Sequence, residues 1–162
     1  MQPVPNTGVF SVAAAVAATS GRVIAVEAQG AYAEIIRHNA ETNSVGNRVV
    51  VHHAVVGPDT GWFARTHAIH GSHYTTPPRT LTMPELLAEN HLDQIDFLKV
   101  DIEGSEFALF GEDLDAWLPR VRRIAMEVHG DSGKPDDLRD LLVRSGYTTW
   151  SDRDESFLYG VR

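Results

Sequence analysis

The segment Ile95 to Phe107, IDFLKVDIEGSEF, constrains the fold of this 162-residue chain more than any other. Ile95, Phe97, Leu98, Val100 and Ile102 form a dense apolar run, the pattern of a strand covered on both faces of a parallel sheet. Asp101 and Glu103 arrive where that run stops. Gly104 then supplies a backbone free to turn, and Glu106, Phe107, Leu109 and Phe110 open a short amphipathic helix. In open α/β sheets, ligands bind outside the carboxyl ends of the strands. Two acids at such an end are poorly explained by folding alone.

The remaining segments alternate in a way that fits this strand into a larger sheet. Ser11 to Ala18 is alanine-rich and predicts a helix, stopped by Thr19-Ser20-Gly21. Arg22 to Ala28 predicts a short apolar strand carrying Glu27 near its end. Ala31 to Thr42 predicts a helix with Ile35 and Ile36 on its inner face. Arg48 to Val56 is the next strand, closed by Gly57-Pro58-Asp59, with a short hairpin expected into Trp62-Phe63. Residues 64 to 79 show no periodicity, the mark of a functional or mobile loop. A helix is expected over Met83 to Asn90, with Thr82 and Glu85 at capping-box spacing and Pro84 in its first turn. Arg123 to His129 is a further strand, and Pro135 to Ser145 a helix with Leu138, Leu141 and Leu142 at helical spacing. Tyr147 to Trp150 and Phe157 to Val161 close the chain as an antiparallel hairpin. Strand–helix alternation followed by a hairpin implies a doubly wound α/β fold of mostly parallel strands, with residues 1–162 as one domain.

Composition narrows the function. A net charge of −8 argues against broad nucleic-acid binding, which needs a basic footprint, and against an anionic membrane surface. The absence of cysteine excludes disulfides, thiolate metal sites and a cysteine nucleophile. Val9 to Ala18 is too short to span a bilayer, and no Lys or Arg stands ahead of it as a signal peptide requires. A cytoplasmic location is expected, with neither nucleic acid nor membrane as partner.

Three groups of polar residues at strand ends are the candidates for chemistry. Asp101 and Glu103 are two apart, so in extended backbone they face the same way. Such a pair can bind a metal, orient a hydroxyl or act as a general base; alternatively Asp101 caps the next helix while Glu103 is solvated. Glu27 stands where an acid in nucleotide-binding α/β folds accepts hydrogen bonds from ribose hydroxyls; taken alone it equally fits a solvated acid at a strand end. Glu127 and His129 repeat the spacing of two, adding an imidazole to an oxygen-rich cluster suited to a hard divalent cation or to deprotonating an alcohol; alternatively they form a hydrogen-bonded structural network. His67, His70 and His73 have spacing that three zinc ligands would use, but nothing around them establishes a helix, so solvated loop histidines are the expectation. Asn6-Thr7-Gly8-Val9-Phe10 precedes the first helix, where a glycine lets a ligand approach backbone amides.

Taken together, DFLKVDIEGSEFALFG resembles the signature of the FkbM-type family of S-adenosylmethionine-dependent methyltransferases. NTGVFS, RVIAVEA, RVVVHHAVVG, TLTMPELL and AMEVHG fall in that family's order, so the resemblance covers nearly the whole chain. It implies a three-layer, Rossmann-like class I methyltransferase fold, and methyl transfer from S-adenosylmethionine to a hydroxyl oxygen of a sugar, polyketide or related small molecule. By position, Glu27 would bind the cofactor ribose, Asn6 and Gly8 would belong to the loop near its methionine part, and His53 and Ala54 would lie near its adenine. Asp101, Glu103, Glu127 and His129 would face the transferred methyl group. A carboxylate, a histidine, or a divalent cation held by Asp101, Glu103 and Glu127 would take the acceptor's proton.

The family's first motif is an apolar strand ending in D-x-G-A-N-x-G, whereas this chain begins MQPVPNTGVFS. Asn6 and Gly8 remain, while Pro3 and Pro5 resist pairing inside a central strand. The first central strand is therefore expected to be absent, leaving either a fragment or a degenerate domain that binds S-adenosylmethionine weakly. The rival expectations are a non-catalytic Rossmann-like domain acting through protein contacts and a metal-dependent hydrolase built on the histidine loop. Oligomeric state stays open.

Overall fold

Gly8 adopts a left-handed backbone (φ 77°) and turns the chain into helix α1 (Val9–Ala17). The computed structural model describes residues 7–18, 20–58, 76–102, 104–129, 133–153 and 156–162. They fall into two compact units, Met1–Leu81 and Thr82–Arg162.

In the first unit, α1 is followed by β1 (Val23–Glu27), α2 (Gly30–Thr42), a 3-10 turn, β2 (Val49–Val56) and β3 (Arg79–Leu81). The strands form a parallel sheet in the order β1-β2-β3. Ala15, Ala25, Ile36, Ala40, Val45 and Val49 make its core, and Val12, Val23 and Val51 pack against them. Small side chains on α1, β1 and α2 let the helices sit close to the strands. Arg37 Nη2 donates to Val51 O at 2.9 Å, tying α2 to β2, and Asn39 Nδ2 donates to Thr7 O at 2.8 Å. Ile35 is 38% exposed, contrary to expectation. The inward stripe of α2 is Ala33, Ile36 and Ala40, and a step of about 100° per residue carries Ile35 off it. Strand β3 falls where no strand was expected, because three residues are too few to show a period.

The second unit opens with α3 (Met83–Glu89), which has the expected capping box. Glu85 N–H donates to Thr82 Oγ1 at 3.2 Å, and Thr82 N–H donates to Glu85 Oε2 at 2.8 Å. Then come β4 (Leu98–Val100), α4 (Glu106–Leu109), α5 (Leu114–Trp117), β5 (Arg123–Glu127), α6 (Pro135–Arg144), β6 (Thr148–Ser151) and β7 (Phe157–Val161). The sheet order is β4-β5-β7-β6; β4 and β5 run parallel, and β7 runs antiparallel to both β5 and β6. The closing hairpin is thus as expected.

The expected strand over Ile95 to Ile102 is shorter and less covered than its apolar run suggests. It pairs regularly only over Leu98–Val100, with an isolated bridge between Ile95 and Val121, and Phe97 is 46% exposed. Val100, Ile124, Met126 and Leu158 form the buried face, while Lys99, Ala125, Glu127, Phe157 and Tyr159 on the alternate positions are half-buried. One face of this sheet is sealed; the other carries the polar and aromatic residues. Helix α5 was not expected either, since four residues hold too little pattern to read.

Tyr147 is buried, and its hydroxyl lies 2.6 Å from Val121 O and 3.0 Å from Leu118 O. This bond clamps the end of the 3-10 turn that delivers the chain to β5. Tyr147→Phe keeps the ring but takes the hydroxyl donor from the carbonyl of the buried Val121, and should cost about 1–2 kcal/mol in urea unfolding. An unchanged midpoint would show that the hydroxyl contributes nothing.

Candidate functional site

Parallel strands deliver their carboxyl ends to the same edge of a sheet, and in the second unit that edge collects the acids expected there. The register pairs Val100 with Met126, so Asp101 and Glu127 each follow directly on the last paired residue. Both are half-buried. Lys99 Nζ donates to Asp101 Oδ2 at 2.7 Å, the two side chains standing on one face as their spacing of two requires. Asp101 does not cap helix α4; its N-cap position is Ser105. Beyond β5, the Val128 N–H donates to Ser156 O at 3.0 Å and holds the backbone next to His129.

His129 leads to a residue that sequence reasoning passed over. Its Nδ1 lies 2.9 Å from Oε1 of Glu106, the first residue of α4, and Glu106 is 0% exposed. The same oxygen accepts from the Gly104 N–H at 3.2 Å, across a turn that Gly104 makes with φ 91°. The other oxygen, Oε2, is buried without a hydrogen-bond partner. In the sequence Glu106 looks like an ordinary acid in a helix's first turn, and its only signal was its place three residues past Glu103 at a strand end.

In the first unit, Glu27 ends β1 and pairs in register with His53. The Gln29 N–H donates to Glu27 Oε1 at 2.7 Å. Burial pushes the Glu27 carboxyl above its ordinary value, while the backbone N–H groups of Gln29 and Ala28 act the other way. His53 Nε2 lies 3.2 Å from Ala28 O, so its ring rests against the turn that follows Glu27. His53 and Ala54 are not at the end of their strand: β2 continues to Val56, and Ala54 is buried opposite Arg79. Gly8 is buried against α2, where an added Cβ would come 2.8 Å from Ile36 Cγ1, so packing accounts for it.

Asn6, Glu103, the three loop histidines and the expected Trp62-Phe63 hairpin lie outside the described residues, as does the position of a first central strand. Among the described residues no group of three or more His, Asp or Glu side chains is arranged to hold a metal, and Asp101 is engaged by Lys99. Among the described residues, too, no helix is long and apolar enough to cross a membrane. A hollow lined by Asp93, Pro119, Arg120 and Arg122 lies where β4 and β5 begin, away from these carboxyl ends, and Asp93 and Asp96 engage its arginines.

Residues 3–149 match the model of the Methyltransferase FkbM domain. The chain belongs to this family. It is 29% identical over 100 residues to the 31-O-demethyl-FK506 methyltransferase FkbM of Streptomyces tacrolimicus, a match covering 62% of this chain and 34% of that protein. It is 38% identical over 89 residues to the AMB antimetabolite synthetase AmbE of Pseudomonas aeruginosa, covering 51% of this chain and 4% of that protein. The chain therefore spans a minor part of both curated relatives. An O-methyltransferase from Bacillus cereus, solved in complex with SAH, superposes with a TM-score of 0.51 at 14% identity, over 94% of this chain and 68% of that one. That likeness establishes the Rossmann-like class I methyltransferase fold.

The raised Glu27 value makes a pH prediction for this FkbM-family domain. The folded state holds the Glu27 proton more tightly than the unfolded state, so ionisation costs stability. The cost is absent well below the ordinary value of 4.5 and develops as pH rises through the window from there to the folded value. Glu27→Gln should therefore gain stability relative to the unmodified protein as pH rises through that window, then level off. Urea denaturation across a pH series tests the sign, and a gain that shrinks with rising pH would refute it.

Proposed function

We propose that this chain acts as one methyltransferase domain that moves a methyl group from S-adenosylmethionine to a hydroxyl of a small molecule, of sugar or polyketide type. One observation carries the reading beyond family membership: the His129 imidazole and the Asp101 and Glu127 carboxylates are all half-buried at the carboxyl-end edge of the β4–β5 pair. The likeness to the Streptomyces 31-O-demethyl-FK506 methyltransferase supports a hydroxyl acceptor.

Glu27 fits a ribose. Its carboxylate takes two backbone N–H groups, leaving acceptor capacity for two vicinal hydroxyls. When bound, S-adenosylmethionine supplies an electrophilic methyl group on a sulfonium. His129 takes the acceptor's proton, since an imidazole is a base suited to neutral pH. Asp101 and Glu127 accept hydrogen bonds from neighbouring hydroxyls and hold the oxygen in line with the methyl group.

Isothermal titration of the chain with S-adenosylmethionine tests the cofactor half. Saturable binding weaker than micromolar is expected, reduced at least about 10-fold in Glu27→Gln by loss of a charge-assisted hydrogen bond of about 1.5–3 kcal/mol. Incubation with methyl-labelled S-adenosylmethionine and a panel of glycosides and polyketides tests the rest. Label should appear on a hydroxyl oxygen and fall about 100-fold or more in His129→Gln. Absence of cofactor binding at millimolar concentration would point instead to a non-catalytic domain.

A further inference from the structure

We infer that Glu106 is a positioning residue that fixes the His129 tautomer and thereby makes Nε2 the basic nitrogen. The inference deepens the proposed function and rests on its reading of His129 as the base. Glu106 is sealed from solvent, so it touches no acceptor and can act only through the imidazole it meets at 2.9 Å.

The proton's place follows from the hydrogen-bond pattern. Oε1 of Glu106 accepts from the Gly104 N–H, and the same oxygen meets His129 Nδ1. As a carboxylate oxygen Oε1 can only accept, so Nδ1 donates to it, which leaves the lone pair on Nε2. A proton on Oε2 would not alter this, because Oε1 still accepts both bonds. The supports are rigid: Gly104 makes the turn with φ 91°, the N–H of Phe110 donates to Glu106 O at 3.0 Å, and Val128 N–H is tied to Ser156 O.

Stability does not explain this carboxylate. A buried carboxyl with one oxygen unpartnered is costly, and apolar residues of similar volume are often neutral or better at such positions. What the carboxylate adds is specific to proton transfer. The acceptor oxygen bonds to the methyl carbon as the carbon–sulfur bond breaks, its electron pair going to sulfur. The acceptor's proton moves to Nε2, while its O–H electron pair stays on oxygen. The imidazolium so formed lies against Glu106, and the half-exposed ring then releases the proton to water. An aspartate holds the histidine in this manner in a Ser-His-Asp triad.

Histidine-selective ¹⁵N labelling and long-range ¹H–¹⁵N spectroscopy of the full chain, with His129 assigned from its loss in His129→Gln, read the tautomer without any acceptor. The neutral His129 ring should carry its proton on Nδ1. Glu106→Gln should keep that tautomer, because the Gly104 N–H holds the amide oxygen in place. Glu106→Leu should no longer hold the proton on Nδ1 as the unmodified protein does and, on an accepted substrate, lose about 100- to 10,000-fold in kcat with unchanged cofactor affinity. A proton on Nε2 in the unmodified protein overturns the inference, and this holds even if Glu106→Leu fails to fold. Retention of the Nδ1 proton and full kcat in Glu106→Leu overturns it as well. The expected tautomers without methyl transfer to any acceptor would leave the positioning role standing and sink the proposed function.

Discussion

Parallel pairing of β4 with β5 is the constraint on which the second unit's candidate site depends. A parallel pair places both carboxyl ends at one edge, so Asp101 leaves one strand beside Glu127 of the next. Antiparallel pairing of the same residues would separate the two acids by the length of the strands. The register is held from its other end as well. Ile95 N–H donates to Arg120 O at 2.8 Å, and Arg122 N–H donates back to Ile95 O at 2.9 Å, three residues before β4 begins. A slip of β4 by one residue against β5 would turn Val100 outward and bury Lys99 and Asp101.

Legibility followed the length and period of each element. The valine-rich run over Val49–Val56, closed by turn residues, and the leucine spacing of Pro135–Arg144 were readable because each element is long enough to show its own pattern. The capping box at Thr82 and Glu85 was readable from spacing alone, because that motif is a local agreement between two side chains and two backbone groups. Arg79–Leu81 and Leu114–Trp117 were not readable: partners in the fold define three- and four-residue elements, and local period does not. The apolar run before Asp101 misled in a different way. Hydrophobicity identified the strand but overstated its covering, since Phe97 lies outside the ladder and stays exposed.

Much of the candidate site was legible for the same physical reason. Asp101, Glu127, His129 and Glu27 each sit where an apolar run gives way to polar residues, a boundary the sequence displays directly. Glu106 has no such boundary. An acid in a helix's first turn is favoured by the local backbone whether buried or exposed, so residue type and position did not separate the two cases. Only the backward turn at Gly104 folds that side chain under the strand ends, and the turn's geometry emerges only in three dimensions.

Burial also sorts the acids by what they can do. Asp101 and Glu127 keep part of their surface open, and Lys99 pairs with Asp101 there. Glu27 is likewise half-buried; it ends a strand beside two backbone donors, and burial has raised its proton affinity without sealing it. Glu106 is wholly enclosed, and the ionisable group it meets at 2.9 Å is the His129 imidazole. A carboxylate in that position cannot exchange a proton or a hydrogen bond with a bound molecule directly. Any effect it has on chemistry must pass through the imidazole, as a constraint on where that ring's proton sits and as a counter-charge when the ring gains a second one.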